Sequence, residues 1–358
     1  MVKKIDFFLG ANSGGGFFSL YDQLGRPEDT YDLIVLKGGP GVGKSTMMKA
    51  IGAAAEKRGL DVEYIRCSGD PDSLDAVQIP QLKTAAVDGT APHVIEPRYP
   101  AAVDRYVNLG QCYDVDRLKE RRREIVACSE GYQAEYRKAY ACLHACRAVR
   151  AEVEESLRPW MNGEKLRRRL NNLWLRLRPG RKKTAGRERR RFLGGLTPAG
   201  RCWCEESIHA LCPGVCALQD SYHMAAPELE ELCGRILRDG YDVVACPDPN
   251  VPARLSHLLV PEVGAAFVTV DGNTALRRAP DRRILVDQML DREHIRTVRG
   301  SLRLKDRLAR ALEAEGAEHL RLAGEKHGEL ELIYRPFVDF AAAEEMTRAE
   351  CCRIFGAL

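Results

Sequence analysis

The feature that most constrains this chain is that it repeats itself. FFLGANSGGG (7–16) returns as RFLGGLTPAG (191–200). Gly59, Asp61 and Val62 find counterparts in Gly240, Asp242 and Val243, and Pro80 finds one in Pro261. The pair Asp88-Gly89 meets Asp271-Gly272 after a two-residue insertion, and LRPWMN (157–162) meets YRPFVD (334–339). Five matches in one order at nearly constant offset mean two homologous halves, so one fold must serve both. We divide the 358 residues into 1–165, a connector over 166–190, and 191–358.

Each half has the same coarse plan. In the first, an apolar run (Leu33–Lys37) leads through glycines into a helix from Ser45 to about Lys57. Strands over Asp61–Arg66 and Thr84–Val87 follow, and alternating strands and helices predict an α/β fold with a parallel sheet in each half. Residues 114–157 lack proline and carry apolar residues three, four and seven apart. This predicts a long helix or a helical hairpin, with Gly131 as the break. Residues 294–334 are the counterpart.

Apolar residues make up 45% and charged residues 30%, the range of soluble globular proteins. No apolar run approaches the roughly 20 residues of a membrane helix, and the N-terminal apolar patch is too short for a secretory signal. A cytoplasmic protein is the expectation, with its thirteen cysteines as reduced thiols.

GGPGVGKST (38–46) carries the chemistry. Gly38, Gly43, Lys44 and Ser45 fit G-x-x-x-x-G-K-[ST] between a strand and a helix, the setting that motif requires. Glycines allow bare N–H groups to reach phosphate oxygens, and the helix N-terminus points its positive end at them. The binding loop is thus Gly38, Gly39, Pro40, Gly41, Val42, Gly43, Lys44, Ser45 and Thr46. Lys44 reaches the β- and γ-phosphates, and Ser45 offers a hydroxyl to Mg²⁺. Asp88 ends a strand where a second Mg²⁺ contact is expected, although Asp-Gly is also a favoured turn pair. Asp70, Asp72 and Asp75 lie at the sheet edge where ligands of parallel sheets bind, or form an Asx-turn and helix cap. His93 is read as a phosphate contact or, more simply, a loop histidine.

The stretches LKGGPGVGKSTMMKAI, CSGDPDSLDAVQIPQLKTAAVDGTAPHVIEP and FLGANSGGGFFSLYD resemble an uncharacterised bacterial family of tandem-duplicated P-loop ATPase-like proteins. The resemblance covers nearly the whole chain. It implies two P-loop NTPase domains, each with a helical insertion after its third strand, and ATP binding. In that family the second half also carries a P-loop. Here ALQDSYHMAAPELEEL (217–232) stands in its place: Gln219 meets Gly38, Tyr222 meets Gly41, Met224 meets Gly43, Ala225 meets Lys44 and Ala226 meets Ser45. The expectation is one ATP per chain and a degenerate second half, inactive or regulatory, paired with the first.

Three functions remain open. An ATPase, a nucleoside-triphosphate hydrolase, would use Lys44 and Asp88, with Mg²⁺ on Ser45 and Asp88 and an arginine finger from Arg254, Arg277 or Arg278. A small-molecule or nucleoside kinase would add an acceptor pocket at 68–75 and the helical insertion. A regulatory module would use ATP as a conformational ligand and bind nucleic acid. Residues 158–191 hold fourteen Lys/Arg against two Glu, so the segment 164–191 offers a surface to an acidic or nucleic-acid partner, or docks on the acidic remainder of the chain. Cys202, Cys204, Cys212 and Cys216 cluster, but their spacing fits no zinc pattern and reads as packing thiols.

Overall fold

The computed structural model describes residues 2–26, 30–272 and 274–356. The chain opens with β1 (Lys4–Phe7), the hairpin β2 (Gly10–Ser13) and β3 (Gly16–Ser19), β4 (Asp32–Lys37) and α1 (Lys44–Lys57). β5 (Val62–Arg66), β6 (Leu74–Ile79), β7 (Thr84–Asp88) and β8 (Asp104–Asn108) complete the first set of strands. Helices α2 (Val115–Glu120), α3 (Arg122–Leu157) and α4 (Gly163–Leu177) follow.

The plan then repeats. It runs through β9 (Glu188–Arg190), β10 (Gly194–Thr197), β11 (Gly200–Trp203), α5 (Glu205–Leu211) and β12 (Gly214–Gln219). Next come α6 (Ala226–Arg238), β13 (Val243–Pro247), β14 (Leu255–Val260), β15 (Ala265–Val270) and β16 (Arg282–Leu285). α7 (Arg292–Tyr334) and α8 (Phe340–Phe355) close the chain.

Two mostly parallel α/β units in tandem result. The sheet orders, β1-β5-β6-β7-β4-β8 and β9-β13-β14-β15-β12-β16, correspond strand for strand. One strand in each, β6 and β14, runs antiparallel to both neighbours. The sequence reading missed it. The polar SGDPDSLD turn conceals a hairpin return, so Asp75 lies inside a strand and no helix begins there.

Side-chain alternation along the strands builds three layers of core. Leu33 and Val35 face a core shared by the two sheets, with Phe8, Phe192, Val215 and Val244. Ile34 and Leu36 face outward onto Met47, Met48 and Ile51 of α1. Phe8 and Phe192, repeat equivalents, exchange backbone hydrogen bonds in both directions at 2.9 Å, which places the pseudo-two-fold axis between them.

The long helices cross that axis. α3 runs unbroken through Gly131, where Lys326 of α7 lies in van der Waals range of the position a Cβ would take. α7 also spans its 43 residues without a break. The two pair antiparallel: Glu135 meets His319, Arg150 meets Glu313 and Lys305 meets Glu152. Each helix therefore delivers its chain to the other unit. Beyond α3, Leu157, Leu166, Leu170 and Trp174 enter the outer core of the second unit beside α6. Beyond α7, Ala343 and Cys351 of α8 enter the outer core of the first beside α1. Equivalent bridges mark both crossings, Tyr113 with Val338 and Met161 with Leu290. Asp114, Asn162, Asp291 and Asp339 cap the helices α2, α4, α7 and α8 in turn, each accepting an N–H of the first turn.

The basic segment follows the same route. Arg167 pairs with Glu231 at 2.8 Å, Arg181 with Asp239 at 2.9 Å, and the buried Arg191 with buried Glu63. Among the described residues no helix is long and apolar enough to cross a membrane.

Candidate functional site

β4 ends at Lys37 and α1 begins at Lys44, so the glycine loop fills the gap at the C-terminal edge of the first sheet. Gly41 (φ 71°) and Gly43 (φ 99°) adopt left-handed backbone, which L side chains resist, and Gly43 is the residue from which α1 starts. Lys44 folds back over the loop, donating to the carbonyls of Gly38 (2.7 Å) and Gly39 (2.8 Å). Its ammonium also lies 3.6 Å from Asp88, the last residue of neighbouring β7. Asp88 accepts the N–H (2.9 Å) and hydroxyl (2.6 Å) of Thr90 through one oxygen, so the turn contact and the approach to Lys44 coexist. Ser45 Oγ accepts the N–H of Leu74 at 3.0 Å. The Tyr113 hydroxyl donates to the Pro40 carbonyl at 2.7 Å, bracing the loop from the side.

The second unit reaches this loop, and the residue that lies against Gly41 is not one of the arginines read as a finger. Arg254 is tied to Asp248 (2.6 Å) and Glu154 (3.2 Å), Arg278 to Glu206, and the Arg277 N–H to Glu205. The guanidinium groups of Arg254 and Arg278 are thus engaged elsewhere, and the contact made by Arg277 is through its backbone N–H. Glu331 of α7 takes the place instead, with its backbone and Cβ within 4 Å of the position a Gly41 Cβ would occupy. His327, one turn earlier, holds the Glu331 carboxyl below its ordinary range against the effect of burial; Lys44 and the Gly41 N–H act in the same direction. No local signal in the sequence marks Glu331, because only the antiparallel pairing with α3 carries it there.

Beside the loop lies a buried cluster that the sequence reading split apart. Asp75 accepts the Tyr21 hydroxyl at 2.6 Å and stands 3.3 Å from His93 Nε2. The thiol of Cys67 also bonds Asp75. Burial opposes the Asp75 charge, and His93 beside it more than compensates and keeps the carboxyl low. The reciprocal effect raises His93 although burial opposes it, and the charges of Asp88 and Lys44 also act on that ring. His93 packs against Phe17 and Tyr21 and is not an ordinary loop histidine. Asp70 and Asp72 stay outside, in an exposed Asx-turn in which Asp70 accepts from Asp72 and Ser73.

The corresponding loop of the second unit is built differently. Counted from the strand ends, Lys37 matches Gln219 and Lys44 matches Ala226. That register is one residue from the sequence alignment, and α6 takes up the difference by being shorter than α1. Asp220, 1% exposed, accepts the N–H groups of Met224 and Ala225, both at 2.8 Å. A carboxylate of the chain itself thus fills the amide cradle at the start of α6. The hairpins before β7 and β15 are equally long, so Thr269 is the strand counterpart of Asp88 and Asp271 lies two residues beyond it. Cys204, Cys212 and Cys216 are buried packing thiols, each pushed up to about 12 by burial.

A curated protein, the thymidylate kinase of Rhizorhabdus wittichii, is 49% identical over 53 residues, which cover 15% of this chain. The match spans 26% of that kinase. No family model and no solved structure matches the chain.

Proposed function

We propose that the first unit binds ATP with Mg²⁺ at residues 38–46 and hydrolyses it, and that the second unit is a degenerate copy without a nucleotide site. What carries this reading is the placement of Lys44 and Ser45 in the first turn of α1, with Asp88 at the end of the adjacent strand, 3.6 Å from the ammonium. An incoming triphosphate exchanges the Lys44 contacts to the Gly38 and Gly39 carbonyls for its own oxygens, and the N–H groups of the loop receive the rest. Ser45 and Asp88 are the protein contacts for the metal, which supplies charge neutralisation on the phosphates. In the second unit Asp220 already occupies the amides, and no lysine stands at the start of α6.

Phosphoryl transfer to an acceptor is a second reading, favoured by the partial similarity to a kinase. The Tyr21–Asp75–His93 network at the same sheet edge is the natural wall of an acceptor pocket.

The test is calorimetric nucleotide binding and phosphate release on the full chain. We expect one ATP bound per chain, with binding lost in Lys44→Ala. Undiminished binding by that variant, or two equivalents, overturns the assignment. Phosphate release without an acceptor supports hydrolysis; turnover only with an added nucleoside monophosphate or other acceptor supports transfer.

A further inference from the structure

Cys67, Asp75 and His93 come from three separate places: the residue after β5, the second residue of β6, and the loop after β7. Each offers one ligand atom, and the three atoms lie within 4.8 Å of one another. Ligands at zinc distances of 2.0–2.3 Å stand about 3.3–3.8 Å apart around a tetrahedral ion, so closure needs movements of about 1 Å. We propose that these three side chains form a binding site for a thiophilic divalent cation of the zinc type, distinct from the Mg²⁺ that accompanies a nucleotide.

Two observations point to a ligand. First, His93 is 7% exposed, yet its Nδ1 has no hydrogen-bond partner. Second, two contacts hold the Cys67 side chain in place: the Gly69 N–H donates to its sulfur at 3.3 Å, and its thiol bonds Asp75. Such outer contacts hold metal ligands in place, and a divalent ion binds there by displacing the thiol proton. Gly69 is required there, since a Cβ would come within 2.7 Å of the Tyr136 hydroxyl.

The donor set selects the metal. Mg²⁺ and Ca²⁺ take oxygen ligands, whereas thiolate with imidazole suits zinc and its neighbours. Three protein ligands leave a fourth position open, the arrangement of reactive zinc sites rather than closed structural ones. Tyr21, bonded to Asp75 at 2.6 Å, holds that carboxylate in place. The second unit lacks the set. By strand register Asp248 stands where Cys67 does and Ser256 where Asp75 does, and Asp248 is neutralised by Arg254. The ligand set and the glycine loop are thus confined to the same unit.

The experiment uses the full chain, stripped with a chelator and titrated with Co²⁺ and Zn²⁺ without nucleotide. We expect one equivalent of Co²⁺ with a near-ultraviolet thiolate-to-cobalt band, bleached by Zn²⁺. The band disappears in Cys67→Ser and persists in Cys352→Ser, which changes an exposed thiol. It persists also in Lys44→Ala, which separates this site from the nucleotide's. If Cys67→Ser does not fold, peptide mapping of the wild type decides: Zn²⁺ slows alkylation at Cys67 at least tenfold and leaves Cys352 unchanged. A wild type without the band, a band retained in Cys67→Ser, or Cys67 alkylation insensitive to Zn²⁺ overturns the proposal.

Discussion

Trp174→Ala tests the exchange of helices between the units. Trp174 precedes the second repeat in sequence, yet it is fully buried in the outer core of the second unit. Its indole N–H donates to Asp239 at 2.8 Å, and its ring meets Tyr241 edge-on at 5.3 Å. Truncating such a residue costs about 3–5 kcal/mol in lost transfer energy and cavity. Asp239 adds little to that cost, because Arg181 at 2.9 Å still pairs with it. At 1.4 kcal/mol per decade, local opening of that core becomes about 140- to 4,000-fold more frequent. Buried thiols report it. Cys216 and Cys233 lie in the same core as Trp174, whereas Cys112 and Cys351 lie in the outer core of the first unit. Pulsed alkylation with mass spectrometry should show acceleration of that order at Cys216 and Cys233 and little at Cys112 and Cys351. Acceleration confined to Cys112 and Cys351, or equal at all four, refutes the assignment of α4 to the second unit's outer layer.

Glu331→Gln should tighten ATP binding about three- to tenfold by calorimetry, because the carboxylate competes with phosphate for Lys44 and the Gly41 N–H; half-exposure of its side chain limits the gain to about 1 kcal/mol. Equal or weaker affinity would count against that competition. Asp220 is raised to about 6, chiefly by burial, so its folded pKa exceeds the unfolded value. The protonated form is then favoured by folding, and stability is lost as pH rises from about 4 through about 6. Urea midpoints of Asp220→Asn should lack this component, which is of order 2–3 kcal/mol in the wild type; an unchanged pH profile would show that Asp220 is not its source.

The duplication and the strand–glycine–helix motif were legible in the sequence because both are local. Repeated spacing survives divergence, and a phosphate loop needs glycines, a lysine and a hydroxyl at fixed separations along one stretch of chain. β4, α1, β5 and β7 followed from apolar runs within a residue or two. β6 did not, because its polar entry resembles a loop, and Gly131 looked like a break because its packing partner lies nearly two hundred residues away. What composition and spacing determined is that there are two copies and that only one retains a glycine loop. Three things depended on contacts between residues distant in sequence: which helix covers which sheet, that Glu331 faces the first loop, and that Cys67, Asp75 and His93 converge. Those contacts are set by the antiparallel pairing of α3 with α7 and by the register of β5, β6 and β7, and neither is written in any local stretch.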